Sequence, residues 1–221
     1  MSLSEKHNVK CIKCGNNFEI KEWNSINIDE LPELREQVIS GDIFKFKCEH
    51  CGETHAIIYN CLYYDKAGKF MVQLLPGFEA NEYIFSQEEE SFIKSFGDNI
   101  YRLTTDYTPF LEKVRVLTEG FNDKAIEICK TVAFTTYTLE HPDEVPENAF
   151  YVRMENDNLV FQLMINDQKA EFAKLPISFY KKVEGKLNFN KLNKERLSMQ
   201  KIDINWALNE NVASFLNDLK E

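Results

Sequence analysis

Two short stretches of the chain share one chemical pattern. Cys11-Ile12-Lys13-Cys14-Gly15 and Cys48-Glu49-His50-Cys51-Gly52 are both Cys-x-x-Cys-Gly units, with 33 residues between Cys14 and Cys48. Zinc is bound by four ligands in a tetrahedron, with zinc–thiolate bonds of about 2.3 Å. Two cysteines with two residues between them reach one ion, because the backbone between them turns tightly around it. Glycine after the second cysteine suits the positive φ at the end of that turn, and Gly15 and Gly52 both stand there. Two such knuckles face to face make a four-cysteine site from Cys11, Cys14, Cys48 and Cys51. A site filled by four protein ligands is structural, since no position is left for substrate or water.

Other readings of these residues are weaker. A thioredoxin-like redox pair opens a helix after a strand. Here each pair is followed by Gly and then a short β-type run, Asn17–Ile20 or Ala56–Tyr59. His50 and His55 stand close enough to replace a cysteine, but four thiolates already suffice, so both are expected to face solvent. Cys61 and Cys129 lie in apolar contexts and read as small core hydrophobes.

Elsewhere the chemistry is sparse. The chain lacks a phosphate-binding Gly-rich loop, a His-Glu-x-x-His and a Gly-x-Ser-x-Gly. Glu88–Glu90 read as a solvated helix start. Asn156-Asp157-Asn158 lacks the downstream Gly and Glu of a calcium loop and reads as a turn. No catalytic residue and no organic cofactor is assigned, and an enzyme is the less expected class.

The elements that must position the cysteines follow from periodicity. Phe18–Trp23 alternates as a half-buried strand. Asp29–Ile39 reads as a short helix with Asp29 as cap and Gly41 as its stop. Ile43–Lys47 returns as a strand into the second knuckle. Two strands follow between His55 and Pro76, joined by Asp65–Gly68. The second, Lys69–Leu75, is apolar on both faces and belongs in the middle of a sheet. Ser86 with Glu89 has capping-box spacing at the start of a helix. Asn99–Thr104 is strand-like. Helices are predicted over Thr108–Thr118 and Asp123–Leu139, the second capped by Asn122 or Asp123 and ended at His141-Pro142. Ile126, Cys129, Val132 and Ala133 form its core stripe. Ala149–Leu175 reads as a β-meander turning at Glu155–Asn158 and Asn166–Gln168. Pro176–Leu197 is helical in pattern. Asp203 caps a last helix carrying Trp206, Val212, Phe215, Leu216 and Leu219 on one face.

Taken together, the cysteine pairs, "FEIKEWNSIN", "DELPELREQVISGDIFKFKC" and "LYYDKAGKFMVQLLP" resemble the CpXC-domain family. This is a bacterial and archaeal group named for two Cys-Pro-x-Cys motifs. The resemblance runs over roughly residues 8–135, through "LEKVRVLTEGFNDKAIEICK". Ile12 and Glu49 stand where the family has proline. Proline pre-sets a turn dihedral but supplies no ligand. The family carries no established activity, so the resemblance implies the metal site and not a reaction.

Composition sets the remaining bounds. A chain of 221 residues that is 43% hydrophobic and 13% aromatic can fill one large or two small domains. Its formal charge of −10 lies mostly beyond residue 76, and no basic run is present to neutralise phosphates. The start Met1-Ser2-Leu3-Ser4-Glu5 is unlike a secretory signal. No apolar run is long enough to span a bilayer. A cytoplasmic location follows, where thiols stay reduced and paired cysteines favour metal over disulfide.

The expectation is an α+β protein. Residues 1–85 form a zinc-ribbon-like, β-rich module with a helical insertion. Residues 86–221 form an α+β region with a short antiparallel sheet. The expected role is a zinc-binding interaction or scaffold module, with an unknown protein partner or a second copy of the chain bound through an apolar helix face. A nucleic-acid-associated regulator is the first alternative, and a thiol-redox or metal-dependent enzyme the second.

Overall fold

The structure, a computed structural model, describes residues 1–95, 99–187 and 198–208. The chain divides into two compact units. The first is Met1–Arg115 with the strand Ser198–Gln200, and the second takes the rest from Val116 onward. Mixed α and β content over several sheets makes it α+β. The division expected at 85/86 falls inside the first unit, because segments on both sides of it join one sheet. No helix among the described residues is long and apolar enough to cross a membrane.

In the first unit the strands are β1 (Leu3–Lys10), β2 (Asn17–Asn27), β3 (Lys45–Lys47), β4 (Thr54–Ala56), β5 (Cys61–Asp65), β6 (Phe70–Leu74), β7 (Glu82–Ile84) and β8 (Ile100–Thr104). Ser198–Gln200 adds one more (β12, since three strands of the second unit precede it in the chain). Seven of them make a mixed sheet in the order β1-β2-β5-β6-β8-β12-β7, while β3 and β4 form a separate antiparallel ribbon. The apolar run expected at the centre is β6, fourth of seven, with Phe70, Met71, Val72 and Leu74 all buried. Each Cys-x-x-Cys unit is a hairpin loop. β1 and β2 pair down to Lys10 and Asn17, and β3 and β4 down to Lys47 and Thr54.

Some boundaries differ from expectation, for local reasons. The first helix, α1, spans only Leu34–Ile39. Asp29 does not cap it; its Oδ2 accepts the Lys66 N–H at 2.9 Å, and its own N–H donates to Asn27 Oδ1 at 3.1 Å. Pro32 disfavours helical backbone at the residue before it, so the helix starts only beyond the proline. Asp42–Phe44 is a 3-10 turn, which shortens the expected strand to β3. Gly41 stops α1 in the left-handed region, at φ 74°. The capping box at Ser86 and Glu89 is present and opens α2 (Gln87–Lys94). β1, β7 and β12 are strands that periodicity misses.

The second unit is helix and meander. The unit boundary falls within α3 (Tyr107–Thr118), after Arg115. In α4 (Asp123–Glu140), Asn122 Oδ1 accepts the Lys124 and Ala125 N–H groups at 3.0 and 3.3 Å. β9 (Asn148–Glu155), β10 (Asn158–Asn166) and β11 (Lys169–Pro176) form the expected meander. Asn156 and Asp157 both take positive φ between Glu155 and Asn158, the requirement of a tight two-residue hairpin turn. Tyr180, Val183 and Leu187 of α5 (Ile177–Leu187) join Ile126, Cys129 and Phe161 in one core. α6 is Ile204–Ala207, with Asp203 Oδ1 accepting the Trp206 N–H at 3.0 Å. Val212, Phe215, Leu216 and Leu219 lie outside the described residues. The first turns of α4 also bury charge: Asp123, Lys124, Glu127 and Lys130 are each at most 4% exposed. Glu127 and Lys130 pair at 2.8 Å.

Gly41 turns the chain from α1 toward the second knuckle. A Cβ there would need a backbone conformation that L-residues resist and would run into Tyr107 Oη and Leu111 Cδ1. Gly41→Ala is expected to cost about 3 kcal/mol in chemical denaturation, from strain and overlap together. A loss within experimental error would show that the turn is not held this tightly.

Candidate metal centre

The two knuckles are built by the same hydrogen bonds at the same offsets. In the first, Cys11 N–H donates to Asn16 O and Gly15 N–H to Cys11 O, both at 2.9 Å. In the second, Cys48 N–H donates to Glu53 O at 2.7 Å and Gly52 N–H to Cys48 O at 2.9 Å. Gly15 and Gly52 close the turns at φ 75° and 74°. Space is not the constraint, for a Cβ at Gly15 would meet only Lys10 Cε, at 3.9 Å. The backbone angle is.

The geometry brings Cys11, Cys14, Cys48 and Cys51 together, with all four sulfurs within 4.8 Å of one another. Cys11 and Cys51 Sγ are 3.6 Å apart, and Cys14 and Cys48 Sγ 3.8 Å. A tetrahedron of sulfurs about 2.3 Å from a central ion has edges of about 3.8 Å, so the set fits a metal ion held by four thiolates. Both close pairs run between knuckles, so an ion here would tie one hairpin to the other. Cys11 and Cys48 are buried, and Cys14 and Cys51 lie toward solvent. Beneath the sulfurs, among the described residues, is a small buried core of Cys11, Phe18, Ile20 and Cys48, flanked by Val9, Phe46 and Ile57. Half of that buried core is cysteine. So little apolar area leaves two short hairpins dependent on a staple.

Electrostatics point the same way. Desolvation pushes the Cys11 thiol up, but the Cys14 and Lys13 amides, His55 and Cys51 outweigh it and bring it down to about 6. Cys51 goes the other way. The Glu53 amide lowers it, yet desolvation and the neighbouring Cys11, Cys14 and Cys48 push it up to about 12. Anionic sulfurs this close cannot all ionise unaided, and a divalent cation removes the conflict.

Around the sulfurs the sequence reading needs one correction. His55, expected to face solvent, instead places its Nε2 3.2 Å from Cys11 Sγ and its ring 5.6 Å from that of Phe18. The cause is the β3–β4 register, which sets His55 opposite Phe46, itself packed against the knuckle core. His50 is exposed and reaches Asn17 O at 3.2 Å. Lys13 and Glu53 pair across the knuckles at 2.5 Å. That pair is too exposed to stabilise much, but it matches one hairpin to the other. Cys61 and Cys129 are buried far along the fold, and burial pushes both thiols up, Cys61 to about 12. Neither belongs to the cluster.

Because Cys11 is lowered, its thiolate forms as pH rises through about 6 in metal-free protein. A thiolate ultraviolet absorbance titration should show a first step there. His55→Ala removes one lowering contact and should move that step to higher pH. A single rise near the ordinary thiol value of about 8.5 would contradict this.

No curated protein and no solved structure matches the chain. A family model described as "CpXC protein" matches residues 9–130, more than half of the 221, and takes in both cysteine pairs, β2, β5, β6 and α3. On that match, and on a four-cysteine cluster that its two knuckles build, the chain belongs to the CpXC family.

Proposed function

We propose that the chain is a cytoplasmic zinc-binding interaction protein in which Cys11, Cys14, Cys48 and Cys51 hold one structural Zn²⁺. The convergence of four sulfurs within 4.8 Å carries the reading. An all-thiolate tetrahedral set favours zinc over the hard cations magnesium and calcium. In a reducing compartment such pairs remain thiols and bind metal rather than each other. With four protein ligands the ion keeps no open position, so its work is to hold shape. The shape it holds is zinc-ribbon-like: two β-hairpins, β1–β2 and β3–β4, joined at their loops.

An interaction role fits what the knuckles present. Ile12, at the tip of the first, is 92% exposed. A large apolar side chain at a loop tip suits contact with a protein partner or a second copy. Nucleic acid suits it less, since the formal charge is −10.

Metal analysis tests the zinc reading. Purified protein should carry one zinc per chain, and Cys14→Ser should lose most of it. Stripping the metal should remove amide-exchange protection from β1, β3, β4 and the start of β2 while β5 and β6 keep theirs, since structural zinc supplies roughly 10–16 kcal/mol in isolated peptides. Full protection without metal would refute the structural role. Retention on heparin at roughly 50 mM salt, lost steeply as salt rises, would favour the nucleic-acid reading instead.

A further inference from the structure

The first unit holds a second feature, which does not rest on the zinc reading. Between one face of the large sheet and α2 lies a cavity of about 360 Å³, at the low end of the roughly 300–1,000 Å³ of small-molecule sites. Leu62 and Gln73 are cross-strand partners on β5 and β6, Met71 lies two residues before Gln73 on the same face, and Met199 of β12 continues the floor. Folded interiors rarely leave gaps much larger than a water molecule. One floored by two methionines, which are flexible enough to repack, suits an occupant that comes and goes.

The polar groups at the cavity say what the occupant is. Glu89 is the only charged residue among the described residues that line it. Its Oε2 accepts the Ser86 N–H at 2.8 Å and its Oε1 the Tyr83 hydroxyl at 3.2 Å. The Ser86 amide holds the carboxyl below its ordinary value, so it is ionised at neutral pH. Lys94, in the same helix, pairs with Glu90 instead, at 3.2 Å. Gln73 donates its amide to Cys61 O and Leu74 O, which leaves Oε1 as the acceptor it has to offer. The cavity therefore presents acceptors and one negative charge. It also presents aromatic rings: Tyr83 and Phe85 meet edge to face at 5.9 Å, and Phe92 completes the rim. Ring faces attract cations, and a carboxylate repels anions.

We propose that this cavity binds a small organic ammonium ion with an alkyl or aryl body, its charge toward Glu89 and the aromatic rim and its body against Leu62, Met71 and Met199. The charge excludes fatty acids and other anionic amphiphiles. The size excludes a protein segment.

Methyl-labelled methionine offers a local readout, because only two of the five methionines line the cavity. The full-length, metal-loaded protein would be titrated with hexylammonium and phenethylammonium, and with hexanol and hexanoate as controls. The Met71 and Met199 methyl signals should shift saturably with both ammonium ions while those of Met154 and Met164 stay in place. Hexanol should bind more weakly, and hexanoate should cause no shift. Glu89→Gln keeps the capping box, which accepts either residue, and should weaken ammonium binding about tenfold while leaving hexanol binding unchanged. Phe92→Ala, at a position 63% exposed, should weaken hexylammonium several-fold. The assignment is overturned if no probe moves the two methyls, if hexanoate or hexanol binds as well as hexylammonium, or if Glu89→Gln binds the ammonium ions like the parent.

Discussion

Four sulfurs lie within 4.8 Å of one another, and the module around them depends on what resolves that crowding. Left to themselves they divide: one thiol is drawn down to about 6 and another driven up to about 12. Backbone amides of the knuckles favour an anion, and sulfurs in contact resist a second. A divalent ion at the centre would satisfy both demands at once, and would do so where the buried apolar core is small. Among the described residues, Phe18 and Ile20 are the only buried core side chains there that are not themselves cysteines. Folding of the two hairpins and binding of the proposed zinc are then one process.

The remainder of the first unit serves this centre by fixing where the hairpins start. β2 is 11 residues long; its first half carries the first knuckle, and its second half runs parallel to β5 in the large sheet. The second knuckle hangs from α1, Gly41 and the short turn before β3, and its far side enters β5 through Tyr59, whose hydroxyl donates to Ile43 O at 3.0 Å. Each hairpin is thus anchored at one end to a well-packed sheet and free at the other, where the sulfurs meet. The acidic α2 and the cavity beneath it stand apart from that division of labour: none of the four clustered cysteines lines the cavity, and it shares no residue with the knuckles.

How far the sequence discloses this depends on the range of the interaction. The knuckles, the Ser86–Glu89 box, the Asn122 cap and the Asn156-Asp157 turn are decided within a few residues, and all are legible. So is β6, because an apolar run on both faces has only the middle of a sheet to go to. β1 is illegible because it is an edge strand: seven of its eight residues are exposed, so no alternation marks it. β7 and β12 are three residues each and exist through pairing between segments more than a hundred residues apart. Asp29 reads as a cap because nothing local reveals that Lys66 claims it. His55 is the instructive case at the site. Four thiolates already suffice, so the sequence leaves it to solvent, and only the strand register turns it toward Cys11.

Membership of the CpXC family brings the cysteine pattern, and a four-thiolate set that holds the proposed ion leaves no open position at the metal. Ile12 in place of proline exposes an apolar tip without removing a ligand. The identity and number of the metal's neighbours decide whether the site is closed, and X-ray absorption at the zinc edge of purified protein reads both. The expected result is a single shell of four sulfurs at about 2.3 Å. A shell holding nitrogen or oxygen, with His55 or water in place of a cysteine, would contradict the closed site and reopen the case for chemistry at the metal.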